Sequence, residues 1–215
     1  MSESIRDALV GEHLAELKLP SVRREFAKLC QQARDERWDY EDLLYQLLEA
    51  EVLARRDGAV ARRLKEARFP ELKSFEQLDW SALEGIHKPK MMELARCEYI
   101  ERADAVVLAG PIGTGKTHLA IALGIEAAKR RHRVVFARAA DLVRELVEAR
   151  DERTLGKLHA RLLGASLLIV DELGFVPFSR QEGELLFNLL AERYERVSTI
   201  ITTNLAFGEW VQVFG

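Results

Sequence analysis

The feature that most restricts this chain is Gly110-Pro111-Ile112-Gly113-Thr114-Gly115-Lys116-Thr117, a complete G-x-x-x-x-G-K-[ST] pattern. Such a pattern works only between a strand and a helix, and the flanks supply both. Ala105 to Ala109 is a short apolar run, and Thr117 to Arg130 carries helical spacing. Glycines at 110, 113 and 115 let the main chain turn successive N–H groups inward. The helix that follows adds the positive end of its dipole, so a polyphosphate meets donors already aimed at it. In this reading Lys116 reaches the β- and γ-phosphates, and Thr117 coordinates Mg²⁺. His118 completes the nucleotide-contacting set; it has no acidic partner at fixed spacing and reads as a helix residue rather than a proton-transfer group.

A second element answers the first. Leu167-Leu168-Ile169-Val170 is an apolar run ending in Asp171-Glu172, two carboxylates where an α/β sheet exposes its working residues. Asp171 is placed to hold Mg²⁺ and Glu172 to orient the water that attacks the γ-phosphate. A third run, Thr199-Ile200-Ile201-Thr202-Thr203, ends in Asn204, a polar tip suited to sense the γ-phosphate or that water if its strand lies beside the one bearing Asp171. With Val134 to Ala137, these runs alternate with helical patterns over 117–130, 140–150 and 181–193. The expected architecture is therefore an α/β parallel sheet covered on both faces.

The first seventy residues have a different texture. Val22, Phe26, Leu29, Cys30 and Ala33 fall on one helical face after Pro20, with Ser21 as the expected N-cap. Leucines recur at helical spacing from Tyr40 to Leu53, and the pattern continues past Gly58 to Leu64 until Pro70 stops it. The division expected is an N-terminal helical domain over 1–70 and a P-loop core over 71–215, the latter opening with a connecting stretch and a helical segment near Met91 to Arg96. Cys30 and Cys97 show no metal-ligand spacing and read as buried thiols. No apolar span reaches membrane length, and the first residues lack the layout of a signal peptide, so the expected setting is the cytoplasm.

Taken together, these segments resemble a known family, the IstB-like ATP-binding proteins, which are AAA+ helpers of insertion-sequence transposases and kin of DnaC-type helicase loaders. P-loop and Asp-Glu motifs are widespread; the specific part of the resemblance lies in Phe69-Pro70-Glu71-Leu72-Lys73 and Glu192-Arg193-Tyr194-Glu195-Arg196. The resemblance implies an AAA+ ATPase that binds ATP and Mg²⁺, forms ATP-dependent oligomers on double-stranded DNA and serves the transposase of its element. It also implies a helical lid with an arginine finger and a sensor 2 arginine beyond the equivalent of Phe214-Gly215. Because an arginine finger is worth several powers of ten in rate, residues 1–215 are expected to bind ATP and turn it over slowly. A DnaC-like loader and a non-hydrolysing nucleotide-binding remnant are the alternatives.

Net charge is −3, so any contact with DNA must come from local clusters. Between Arg55 and Arg68 stand Arg55, Arg56, Arg62, Arg63, Lys65 and Arg68, against Asp57 and Glu66. A second cluster, Lys129-Arg130-Arg131-His132-Arg133 with Arg138, closes the helix after the P-loop, where cations also suit the helix dipole. No aromatic residues interleave with either, which points to duplex backbone contact rather than stacking on bases. Arg193 and Arg196, at a predicted helix end, read as surface or interface charges. Adenine contacts are expected from the segment before the first core strand, near Cys97, Tyr99 and Ile100, with no single residue fixed.

Overall fold

The computed structural model describes residues 3–83 and 85–214, which fall into two compact units, Met1–Ala61 and Arg62–Gly215. The division lies inside a long helix, ahead of the sequence-based boundary at Pro70.

In the first unit, α1 (Glu3–Glu16) and α2 (Pro20–Glu36) are followed by α3 (Tyr40–Ala67), which continues into the second unit. Proline at the first position of α2 fits the fixed φ of a helix start. Ser21 does not cap it. The main-chain N–H groups of Ser21 and Val22 both donate to the buried carboxylate of Glu51 on α3, at 2.8 and 3.2 Å. Burial acts to raise the pKa of Glu51, but hydrogen bonds from Arg55, Ser21 and Val22 hold it below the usual carboxylate value. A side chain thirty residues away thus does the work expected of a local cap.

The second unit opens with single turns at Phe75–Gln77 and Trp80–Ala82, where the rings of Phe75 and Trp80 stack 5.9 Å apart. Then come α4 (Lys88–Leu94), α5 (Glu98–Glu101), β1 (Ala105–Ala109), α6 (Lys116–Lys129), β2 (Val134–Arg138), α7 (Ala139–Asp151) and α8 (Leu155–Leu163). β3 (Leu167–Leu173), α9 (Arg180–Arg193), β4 (Ser198–Thr203) and α10 (Val211–Phe214) complete it. All strand pairs are parallel, in the order β1-β4-β3-β2.

Side-chain alternation along β3 builds two cores. Leu167 and Ile169 join Ile121, Phe136 and Ile200 under α6, whereas Leu168 and Val170 join Leu142, Leu146, Leu186 and Ile201 under α7 and α9. This is why β3 is continuously apolar from Leu167 to Val170 rather than alternating.

Three sequence expectations need correction. Arg193 is not a surface charge: it is fully buried at the end of α9. Its guanidinium donates to Thr199 Oγ1 and to the carbonyls of Leu162, Ala165 and Ser198, which ties the amino ends of β3 and β4 together. Burial draws its pKa down to about 10, so it stays charged at neutral pH. Cys97 is a buried thiol, pushed up to about 11 by burial, but Cys30 is only half-buried. Cys97, Tyr99 and Ile100 are all packed in the core beneath α6 and do not line the hollow beside the phosphate loop.

Candidate functional site

The phosphate loop leaves β1 and enters α6 through Gly113 and Gly115, whose φ values of +84° and +82° are open to glycine and strained for other residues. Gly115 caps α6 directly, so the first turn of the helix points its N–H groups into the loop. Lys116 folds back over the loop: its Nζ donates to the carbonyls of Gly110 (2.7 Å) and Pro111 (2.6 Å). The Thr114 hydroxyl donates to the same Pro111 carbonyl at 2.8 Å. These bonds close a small ring of main chain with the ammonium at its centre.

Strand order brings the other elements to the loop. β4 lies between β1 and β3, so the carboxyl ends of all three strands meet at one place. Thr117 Oγ1 donates to Asp171 Oδ1 at 2.9 Å, joining the start of α6 to β3. Asp171 is 1% exposed, and its same oxygen accepts from Thr202 Oγ1 on β4 at 2.6 Å. Thr202 also accepts from the main-chain N–H of Glu172 at 2.9 Å.

That last bond explains the shape of the strand end. Pairing of β3 with β4 slips between Val170 and Leu173, and Glu172 takes a left-handed φ of +62°. A bulge of this kind re-aims one side chain out of the pleat. The Glu172 carboxylate consequently faces the hollow, half-exposed, with Arg138 at 3.8 Å across the sheet top.

The hollow itself holds about 370 Å³ and is lined by Ile112 to His118, Lys73, Glu172, Phe175, Thr202, Thr203 and Asn204. Asn204 stands at its rim just beyond β4. Gly110 and Pro111 line a neighbouring hollow of about 330 Å³ on the other side of the loop, and Lys116 is shared by both. His118 Nε2–H donates to the Ser74 carbonyl at 2.8 Å and so fastens the connecting segment, with Lys73, to the start of α6. The segment that approaches the loop is thus 73–91, not the one near Tyr99.

Two participants were not singled out from sequence. Thr202 reads as one more β-branched strand residue; its signal is a hydroxyl at an otherwise apolar central position, one strand away from a carboxylate. Lys73 carried no signal beyond its place in Phe-Pro-Glu-Leu-Lys. Thr202→Val is expected to keep the fold and weaken Mg²⁺-dependent nucleotide binding at least about tenfold, since the hydroxyl's bonds to Asp171 and from the Glu172 N–H are both lost. Thr202→Ser is expected to restore it. Calorimetric titration of the two variants checks this, and equal affinity of the Thr202→Val variant and the wild-type protein would remove Thr202 from the site.

Comparison with known proteins now decides the family. The sequence pattern of the family described as IstB-like ATP binding protein matches residues 12–215. The chain belongs to the IstB-like ATP-binding proteins. It is 39% identical over 202 residues to an insertion-sequence IS21 putative ATP-binding protein of Pseudomonas aeruginosa, covering 94% of this chain and 76% of that one. It is 31% identical to the corresponding IS5376 protein of Geobacillus stearothermophilus, covering 96% of this chain and 82% of the relative. Among solved structures the IstB-like fold is similar to the DnaC helicase loader, with a TM-score of 0.53, 26% identity, and coverage of 63% of this chain and 88% of that one. AMPPCP-bound DnaA from Aquifex aeolicus shares the fold at a TM-score of 0.57 and 22% identity, over 68% of this chain and 46% of DnaA. The P-loop, AAA+ type α/β fold expected from the sequence is the fold found.

Proposed function

We propose that this IstB-like chain binds ATP with Mg²⁺ in the hollow over the phosphate loop, oligomerises on duplex DNA in that state, and assists the transposase of an insertion element. One observation carries the reading: the Thr117 hydroxyl and the Asp171 carboxylate, from elements 54 residues apart, meet at 2.9 Å at the mouth of the loop. Hydroxyl and carboxylate oxygens suit a hard cation. Among the described residues no group of three or more His, Cys, Asp or Glu could hold a metal, so this pair is suited to an ion that takes its other ligands from water and phosphate.

Thr117 and Asp171 would hold Mg²⁺, which would offset the charge of the phosphates. Lys116 exchanges the loop carbonyls for phosphate oxygens, Glu172 orients the attacking water, and Asn204 reports the γ-phosphate from the tip of β4. ATP is hydrolysed to ADP and phosphate. The relatives' names, ATP-binding proteins of insertion sequences, support the nucleotide and the biological setting.

Duplex contact is assigned to α3 and the residues just after it. Arg55 is committed to Glu51 and the Lys18 carbonyl, and Arg62 lies 3.9 Å from Glu66. Among the described residues no carboxylate pairs with Arg56, Arg63, Lys65 or Arg68, which leaves four cations for phosphates. Lys129 and Arg130, by contrast, are tied to Glu126 at 2.7 and 2.9 Å. The α1–α3 unit is the proposed contact for the transposase. No helix among the described residues is long and apolar enough to cross a membrane.

Fluorescence anisotropy of labelled duplex and single-stranded DNA at fixed salt, with ATP or ADP, tests the reading. Cooperative duplex binding that requires ATP is expected. Single-strand preference would favour a helicase loader, the reading suggested by the likeness to DnaC. Absence of DNA binding in every nucleotide state would leave a nucleotide-binding module without this role.

A further inference from the structure

A groove of about 1110 Å³ lined by residues of the second unit lies outside the hollow over the phosphate loop and touches that site only through Arg138. Its floor is β2, the outer strand of the sheet, whose five residues Val134 to Arg138 all line it. In a parallel strand both main-chain groups of a residue point to the same side, and successive residues alternate. The Leu167 N–H donates to the Arg133 carbonyl, so Arg133, Val135 and Ala137 face β3. Val134 and Phe136, only 2% and 7% exposed beneath the groove walls, therefore direct their N–H and C=O groups off the edge of the sheet, and no described residue bonds them. Proteins commonly cover or blunt such an edge, because it is a template for another strand.

The walls give the edge a charge preference. Arg62, Arg63, Arg68, Arg133, Arg138 and Arg161 surround it, against Glu66, Asp141 and Glu145. All three carboxylates are paired, Glu145 with Arg161 at 2.5 Å, Asp141 with Arg144 at 2.8 Å and Glu66 with Arg62 at 3.9 Å, which leaves Arg63, Arg68 and Arg133 without a carboxylate among the described residues. Phe69 packs on Phe136 with ring centroids 6.0 Å apart, which fixes the wall that follows α3 beside the strand.

We propose that this groove binds an extended acidic peptide segment of a partner protein, which adds to the sheet as a strand beside β2. Main-chain hydrogen bonds to Val134 and Phe136 supply binding, and the arginines select carboxylates on the alternate side chains. A nucleic acid fits less well. Its phosphates cannot satisfy an alternating row of donors and acceptors, and a continuous polyanion would meet the three carboxylates in the walls. Arg63 and Arg68 serve both this groove and the duplex reading, so the two are tested apart through Arg133, which the duplex reading does not use.

The probe is a fluorescein-labelled, end-capped peptide of alternating Glu and Thr, long enough to run the length of β2, titrated into the full chain. Saturable binding is expected, with slowed hydrogen exchange at the Val134 and Phe136 amides read by NMR. Methylating the main-chain nitrogens of one alternate set of peptide residues should weaken binding at least about tenfold, and methylating the other set should leave it unchanged, because only one set faces the edge. Arg133→Glu, an exposed position, should also weaken it about tenfold, while duplex binding stays as it was. The proposal is overturned if the peptide does not bind, if both methylated sets bind alike, or if duplex DNA rather than the peptide protects the two amides.

Discussion

Lys116→Ala lowers the affinity for ATP by about 10²- to 10³-fold, and ATP-dependent assembly on duplex DNA disappears with it. The size follows from the bonds at stake. A hydrogen bond to a charged group contributes about 1.5–3 kcal/mol, and one ammonium serving two phosphates has at least two such bonds to lose. The substitution also removes the link from Lys116 to the Gly110 and Pro111 carbonyls, so the loop loses its central brace. Because the ammonium lies at the mouth of the loop rather than in either core, the fold should survive, and circular dichroism should match wild type. Titration with a fluorescent ATP analogue reads the affinity. A change of less than about threefold would mean that the triphosphate does not sit where Lys116 is.

The second large effect is on stability. Arg193→Leu removes the guanidinium from the carbonyls of Leu162, Ala165 and Ser198 and from Thr199 Oγ1, and of these the Leu162 carbonyl keeps the Ala165 N–H at 3.1 Å. Each buried acceptor so abandoned costs about 1–3 kcal/mol, and relief from burying a guanidinium offsets part of the sum. A net loss of about 3 kcal/mol is expected in urea unfolding followed by circular dichroism. Arg193→Lys should recover little, since one compact ammonium cannot span acceptors that a planar fork reaches. Arg196→Ala, three residues on and exposed, should change stability by no more than about 0.5 kcal/mol. Equal effects at the two positions would contradict the buried role of Arg193.

That contrast shows where sequence stops informing. The parallel sheet was legible because β3 is apolar at each position from Leu167 to Val170, a pattern that two-sided burial accounts for. The phosphate loop was legible because its glycines and flanks are dictated locally. Ile112 to His118, Glu172 and Asn204, all named from sequence, line one hollow. Arg193 was misread because its partners are main-chain carbonyls contributed by three separate places in the chain, and carbonyls carry no letter. Ser21 was misread as a cap for the same kind of reason: the acceptor is Glu51, and only the packing of α3 brings it there. The bulge at Glu172 depends on the Thr202 hydroxyl of another strand, so nothing within Val170-Asp171-Glu172-Leu173 announces it. α8 was passed over because its leucines at 155, 158 and 162 lead almost without a break into the apolar run of β3.

The position of β4 has a consequence for how the chain comes into being. Among the described residues β1 pairs with β4 and with no other strand, although 88 residues separate Ala109 from Ser198. While the ribosome is still making what lies between, the strand that carries the phosphate loop has nothing to align on. β2 and β3 can already zip together, but the gap beside β3 stays open until residues 198–203 emerge. β4 then slots into the middle of the sheet and, by the same step, brings Thr202 to Asp171. The sheet is therefore complete, and Asp171 has its Thr202 partner, only once residues 198–203 are made, and a chain interrupted before them lacks both.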